Sequence, residues 1–175
     1  MTENDFVKLL QTKLEKDLKG YSIVVKENLI YKIIVNTNGE FHPTNPTEPK
    51  RGSLAFQTDL LIKKGSLPLV VVETKFGSFS THDVLTYSTK AVKHKEVYPY
   101  LRYGLVVGNV SIISNRFFTH NVGFDFALAI NDMKKLSPFS SLIKTQIKNA
   151  EKLLQILNEK NKTKMFSTIL EIETD

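Results

Sequence analysis

Cysteine is absent from the 175 residues of this chain. That excludes a disulfide framework and a thiolate zinc site, and it suits a reducing compartment, so a cytoplasmic location is expected. No apolar stretch approaches the roughly 20 residues of a membrane span, so no membrane partner is expected. The start, Met1-Thr2-Glu3-Asn4-Asp5, lacks the basic and apolar regions of a signal peptide. The four histidines show no close metal-ligand spacing, and His120-Asn121 does not complete an H-N-H pattern. A G-x-x-x-x-G-K-S/T phosphate loop is missing too, which leaves no sign of an intrinsic NTPase motor. Internal repeats, low-complexity segments and interdomain linkers are likewise lacking, so residues 1–175 are expected to form one domain.

The rest of the composition is ordinary for a globular protein, with 41% hydrophobic and 24% charged residues. The length is enough to bury a substantial core. The net charge of +6 and pI near 9.4 favour a polyanionic partner, although many basic proteins bind no nucleic acid.

Hydrophobic spacing predicts a helix over residues 4–19, with Phe6, Val7, Leu10, Leu14 and Leu18 on one stripe and Gly20 as its stop. Residues 21–35 read as one bent strand, or as a hairpin broken near Glu27-Asn28. Residues 36–53 read as a long loop, a length that is often functional. Two strands follow, Phe56–Ile62 and Leu67–Gly77, joined by a short turn at 63–66. Ser80 or Thr81 is expected to cap a helix running to about Val97, with Pro99 just past its end. Leu101–Val107 is predicted to be a strand, and so are Val110–Ile113 and Phe124–Ile130, with a turn at Asn121-Val122-Gly123. Arg116-Phe117-Phe118 and His120 read as strand or loop. Ser140–Glu159 is predicted to be a helix, and Met165–Ile172 a short strand or a helical extension.

Chemistry concentrates on the central pair of strands. An acid, any residue and then lysine occurs four times, at Asp17, Glu48, Glu73 and Asp132. Three of these fall on surface-like segments. Only Glu73-Thr74-Lys75 ends a continuous apolar run, Leu69 to Val72, of the kind buried on both faces of a sheet. Charges placed there need a partner or a metal. Side-chain alternation points Glu73 and Lys75 to one face and Thr74 to the other. For Asp59 to share that face with Glu73, the numbers of directly paired residues must sum to an even value. A loop with an odd number of residues, or a bulge, meets that requirement, whereas a plain two-residue turn at Lys64-Gly65 does not. Asp59, Glu73 and Lys75 together read as a divalent-metal phosphodiesterase site. The competing account is a buried ion pair with Asp59 elsewhere.

The order helix, strand or hairpin, strand, strand, helix, strand, with these residues, resembles the core of the PD-(D/E)xK nuclease superfamily. The resemblance covers Phe6 to Gly108 and implies an α/β restriction-endonuclease-like fold. That fold has a mixed central sheet flanked by helices, in the order α-β-β-β-α-β, with a core at about 4–108 and a C-terminal extension at about 109–175. Asp59 then corresponds to the motif aspartate and Glu73-Thr74-Lys75 to the E-x-K tripeptide. Thr58 stands where proline is usual, a position that varies widely in the family. Asp83-Val84-Leu85-Thr86-Tyr87 echoes a Q-x-x-x-Y pattern, with Asp in place of Gln.

The resemblance implies a DNA endonuclease that uses Mg²⁺, with Mn²⁺ able to substitute. Asp59, Glu73 and the Thr74 backbone carbonyl would be the metal ligands. Lys75 would orient or deprotonate the attacking water, or stabilise the transition state. Some relatives add a helix acid. Glu15 is the first candidate here and Glu3 the second, and the alternative for both is an ordinary solvated helix charge. Lys90, Lys93 and His94, three or four residues apart, are expected either to contact DNA phosphates or to line a solvated helix face. Lys50 and Arg51 are expected either to touch a backbone or groove from the long loop or to belong to a loop that is simply mobile. For Tyr98, Tyr100, Arg102 and Tyr103, core packing is the favoured account.

Restriction type II-like cleavage is the first functional expectation, and a homodimer would let a one-site chain cut both strands. The alternatives are a repair, recombination or mobile-element nuclease of the same fold, a non-catalytic DNA-binding module, and a globular protein with no nucleic-acid role.

Overall fold

The computed structural model describes residues 1–50, 52–158 and 163–173. In chain order the elements are α1 (Glu3–Asp17), β1 (Ser22–Val25), β2 (Asn28–Ile30), β3 (Ile34–Val35), β4 (Phe41–His42), β5 (Ala55–Gln57), β6 (Leu60–Lys64), β7 (Leu67–Phe76), α2 (Thr81–Val97), β8 (Arg102–Gly108), α3 (Asn115–His120), β9 (Phe126–Ile130) and α4 (Ser137–Asn158).

The main sheet has the order β1-β6-β7-β8-β9. β1, β6 and β7 are antiparallel neighbours, whereas β7, β8 and β9 run parallel, with α2 in the crossover from β7 to β8 and α3 in that from β8 to β9. The chain is therefore α/β with a mixed central sheet flanked by helices. β7 lies in the middle, and its residues from Pro68 to Thr74 are buried. Alternation divides its side chains between two cores. Val70 and Val72 pack with Phe6, Leu10 and Leu14 of α1 and with Phe139, Ile143 and Ile147 of α4. Val71 packs on the other face with Val84 and Ala91 of α2, Tyr103 and Leu105 of β8 and Phe117 of α3. Burial of these stripes is the main driving force for the layered arrangement.

Both helices that frame the strand ends start at capping boxes. The Thr2 hydroxyl accepts from the Asp5 amide while Asp5 accepts from the Thr2 amide, and Ser80 and Asp83 repeat the device at α2. Each box satisfies amides that the first helical turn leaves free.

The chain bends where strand and hairpin were alternatives. β1 pairs with β6, and β2 pairs with β5, so residues 21–35 turn a corner without folding back. Lys26, at φ 56°, marks the corner. On the opposing strand the expected run Phe56–Ile62 is split in the same place. The Lys26 amide donates to the Asp59 carbonyl at 3.3 Å, and the Thr58 amide donates to the Glu27 carbonyl at 2.9 Å. These two bonds carry one ladder around the kink, and Asp59 sits at its apex. The long connection after β2 holds a small ribbon of its own, β3 against β4.

Other expectations need correction. Val110–Ile113 is not a strand, and Arg116–His120 is helical within α3. Asn121 forms the expected turn, its side-chain oxygen accepting from the amides of Gly123 and Phe124. α4 begins a turn earlier than Ser140; Pro138 fits there because the first-turn amides have no helical acceptor. Glu159, its expected end, lies outside the described residues. Met165–Ile172 is neither strand nor helix. No helix among the described residues is long and apolar enough to cross a membrane.

Candidate active site

The register of β6 on β7 meets the parity condition through a bulge. The turn itself is the two-residue Gly65-Ser66, which pairs Lys64 with Leu67 and Lys63 with Pro68. The register then shifts, so that Ile62 pairs with Val70, Leu61 with Val71 and Leu60 with Val72. Extended one step, the shifted register sets Asp59 opposite Glu73.

Asp59 is held from the β7 side. Its Oδ2 accepts from the Thr74 amide at 2.8 Å and from the Thr74 hydroxyl at 3.0 Å. A strand residue presents its amide and carbonyl on the same edge, so the Thr74 carbonyl faces the same gap beyond the start of β6.

Glu73 is 1% exposed. The Tyr103 hydroxyl donates to its Oε1 at 2.5 Å, and Lys90 Nζ stands 4.0 Å from the same oxygen. Burial, and then the neighbouring charge of Asp59, push the Glu73 carboxyl up to about 7, against the opposing pull of Lys90 and Tyr103. Burial and the Glu73 charge likewise raise the Tyr103 hydroxyl well above the ordinary tyrosine range, which keeps it a donor.

Lys75 lies on the same side of the strand as Glu73. Its Nζ is 3.5 Å from Asp83 Oδ1, 3.8 Å from Glu3 Oε2 and 5.3 Å from the Tyr87 ring centre. Burial opposes its charge, but Tyr87, Glu3 and Asp83 outweigh burial and raise its pKa, so Lys75 is a cation at neutral pH.

The structure thus gathers Asp59, Glu73, Thr74 and Lys75 at one end of β7, as expected, and sets Glu3, the second-choice helix acid, beside Lys75. Glu15, the first-choice helix acid, is not brought there. It lies twelve residues along α1 from Glu3, about 18 Å at 1.5 Å per residue. The proposed phosphate-contacting trio is also split. Lys90 turns inward beside Glu73, with its ammonium 4.9 Å from the Tyr87 ring centre and 5.7 Å from that of Phe56. Lys93 remains outside, paired with Glu96 at 2.7 Å. His94 is fully buried, and its Nδ1 donates to the Ile30 carbonyl at 3.1 Å. Burial lowers its pKa to about 4, so it is a neutral core residue and offers nothing to a phosphate. Lys50 is exposed in the long connection, and Arg51 lies outside the described residues. Tyr100 and Tyr103 are core residues, and Arg102 is tied to Asp125 and Gln146.

Three participants were not assigned from sequence: Tyr103 beneath Glu73, and Asp83 and Tyr87 around Lys75. A signal for two of them did exist. Asp83, Tyr87 and Lys90 fall at i, i+4 and i+7, one face of α2, and that face overlies the end of β7.

The donor set suits a hard divalent ion. Two carboxylates face each other, one of them buried and burdened by the charge of the other, and a backbone carbonyl opens onto the same gap. Among the described residues no three His, Cys, Asp or Glu side chains converge as a ready-made cage. Mg²⁺ does not require one, because it keeps waters and substrate oxygens in its shell. Comparison with family models, with curated proteins and with solved structures gives no match for this chain.

Proposed function

We propose that this protein is a Mg²⁺-dependent DNA endonuclease with a restriction-endonuclease-like core, cutting phosphodiester bonds in the manner of type II restriction enzymes. The observation that carries the reading is the meeting of Asp59, Glu73 and Lys75 at one end of the central strand, with the two carboxylates facing each other. The order α1-β1-β6-β7-α2-β8 and the antiparallel-then-parallel sheet add support, as does the net charge of +6.

Mg²⁺ bound by Asp59, Glu73 and the Thr74 carbonyl would supply an activated water and neutralise charge on the phosphate, and Mn²⁺ fits the same donors. The protein's own part is to hold these donors rigidly. Thr74 fixes Oδ2 of Asp59, while Tyr103 fixes the orientation of Glu73. Lys75, kept protonated by its acidic neighbours, stabilises negative charge at the scissile phosphate rather than taking a proton from water. Cutting both strands calls for a homodimer or for sequential nicking.

Supercoiled plasmid, single-stranded DNA and branched DNA, each with Mg²⁺, Mn²⁺ or EDTA, test the reading. Metal-dependent cutting that disappears in Lys75→Ala is the expected result, with discrete duplex fragments marking a restriction enzyme. Preference for branched substrates would move the assignment to a repair or recombination nuclease. Folded protein that binds DNA but cuts none of these would mark a binding module.

A further inference from the structure

Lys90 occupies an unusual place for a helix lysine. Its side chain is 22% exposed, and its ammonium lies near the rings of Tyr87 and Phe56. Phe56 is itself stacked on Tyr31, with ring centres 4.0 Å apart, so the wall on that side is built from the β2–β5 ribbon. Among the described residues, the carboxylate within ion-pair range of the Lys90 ammonium is Glu73, at 4.0 Å. Lysine normally keeps its ammonium in water while burying its stem, and holding it inside needs an anion.

That arrangement conflicts with Glu73 acting as a metal ligand. A divalent ion on Glu73 would stand within a few ångströms of the Lys90 ammonium, and like charges at that range repel. We propose that Lys90 is the counter-ion Glu73 gives up on metal binding, and that Lys90 then pairs with a phosphate oxygen of the bound nucleic acid. Lys75 and Lys90 would flank the phosphate from two directions, Lys75 from the strand and Lys90 from α2. The inference rests on the nuclease reading of the same site. It separates Lys90 from the outer phosphate track represented by Lys93, which pairs with Glu96 at the surface.

The exchange predicts opposite effects on two measurements. Lys90→Met keeps the apolar stem between the rings and removes the charge. Titration with Mn²⁺ in the absence of DNA at pH 8.5, above the range in which Glu73 holds its proton, followed by calorimetry, should show binding roughly tenfold tighter than in the wild type, because a repelling charge next to the ion is gone. The same variant should cut DNA roughly 10- to 100-fold more slowly, because a phosphate contact is lost. Lys90→Arg should restore both values toward the wild type. A residue that merely supports the fold would not tighten metal binding. Asp59→Asn, which should abolish Mn²⁺ binding, calibrates the titration. If wild type binds Mn²⁺, Asp59→Asn does not, and Lys90→Met binds it no more tightly than wild type, the exchange is overturned while the nuclease reading stands. If wild type binds no Mn²⁺ at all, the nuclease reading fails and the exchange fails with it.

Discussion

Two half-buried clusters of charge flank β8, and they are built on opposite terms. In one, Asp125 is saturated. Its Oδ1 meets Lys95 at 2.8 Å and Arg102 at 3.0 Å, while its Oδ2 accepts from the Tyr103 amide at 2.8 Å. Two cations and a backbone donor answer one carboxylate. In the other, Glu73 and Asp59 face each other, and the cations stand farther off, with Lys90 at 4.0 Å from Glu73 and Lys75 turned to Glu3 and Asp83. The first cluster has found its partners and acts as a brace. The second holds two carboxylates together, one of them buried, at a cost that packing elsewhere must cover, and the proposed function takes that difference as the mark of a site rather than a brace.

The widest separation should come from activity. Lys75→Ala is expected to lower metal-dependent DNA cleavage by roughly 10³-fold, a loss typical of removing a transition-state charge. Asp125→Ala should leave cleavage per folded molecule unchanged. That substitution should instead destabilise the fold by about 2 kcal/mol, since it leaves Lys95 and Arg102 without their acid, with only the Gly123 carbonyl and Gln146 to accept from them. Urea denaturation followed by circular dichroism reads the difference, and an activity loss in Asp125→Ala at full folding would erase the contrast.

Stability should also respond with opposite sign. The Glu73 carboxyl titrates near 7 in the folded chain and near 4.5 when unfolded, so the folded state holds the extra proton between those values. Stability conferred by that proton is present at the low end of the window and is lost as pH rises through 7. Glu73→Gln keeps an acceptor for Tyr103 and removes the charge. It should therefore gain on the wild type by about 3 kcal/mol at pH 8 and by about 1 kcal/mol at pH 5 in metal-free buffer. Parallel denaturation curves at the two pH values check this, and an equal gain at both would locate the effect outside ionisation.

The smallest change belongs to Lys93→Ala. Its pair with Glu96 is solvent-exposed and spans one helical turn, so stability should shift by less than about 0.5 kcal/mol. Cleavage should hardly move, in contrast to Lys90→Met one turn away.

The pattern of what sequence reveals follows from the range of the forces involved. α1 and α2 were legible because spacing and caps are local, and β7 because a strand buried on both faces has no polar residue until its end. The face shared by Asp59 and Glu73 was legible as a parity condition, although only the structure shows that a bulge meets it. Lys90, Lys93 and His94 were not separable in sequence. All three are polar residues on one helix, and the sorting comes from distant partners, Ile30 for His94 and Glu73 for Lys90, while Lys93 keeps an exposed local pair with Glu96. α3 was missed because Asn115–His120 is too short to establish a period. The break at Thr58-Asp59 was hidden because its cause, the corner at Lys26-Glu27, lies some thirty residues upstream in the chain.

That corner also has a mechanical meaning. The β2–β5 ribbon and the β1–β6 ladder are two arms of one continuous lever, hinged on the bonds from Lys26 to Asp59 and from Thr58 to Glu27. Asp59 is at the fulcrum, two residues beyond the end of β5. Any load that tilts the ribbon is delivered first to the backbone that aims this carboxylate.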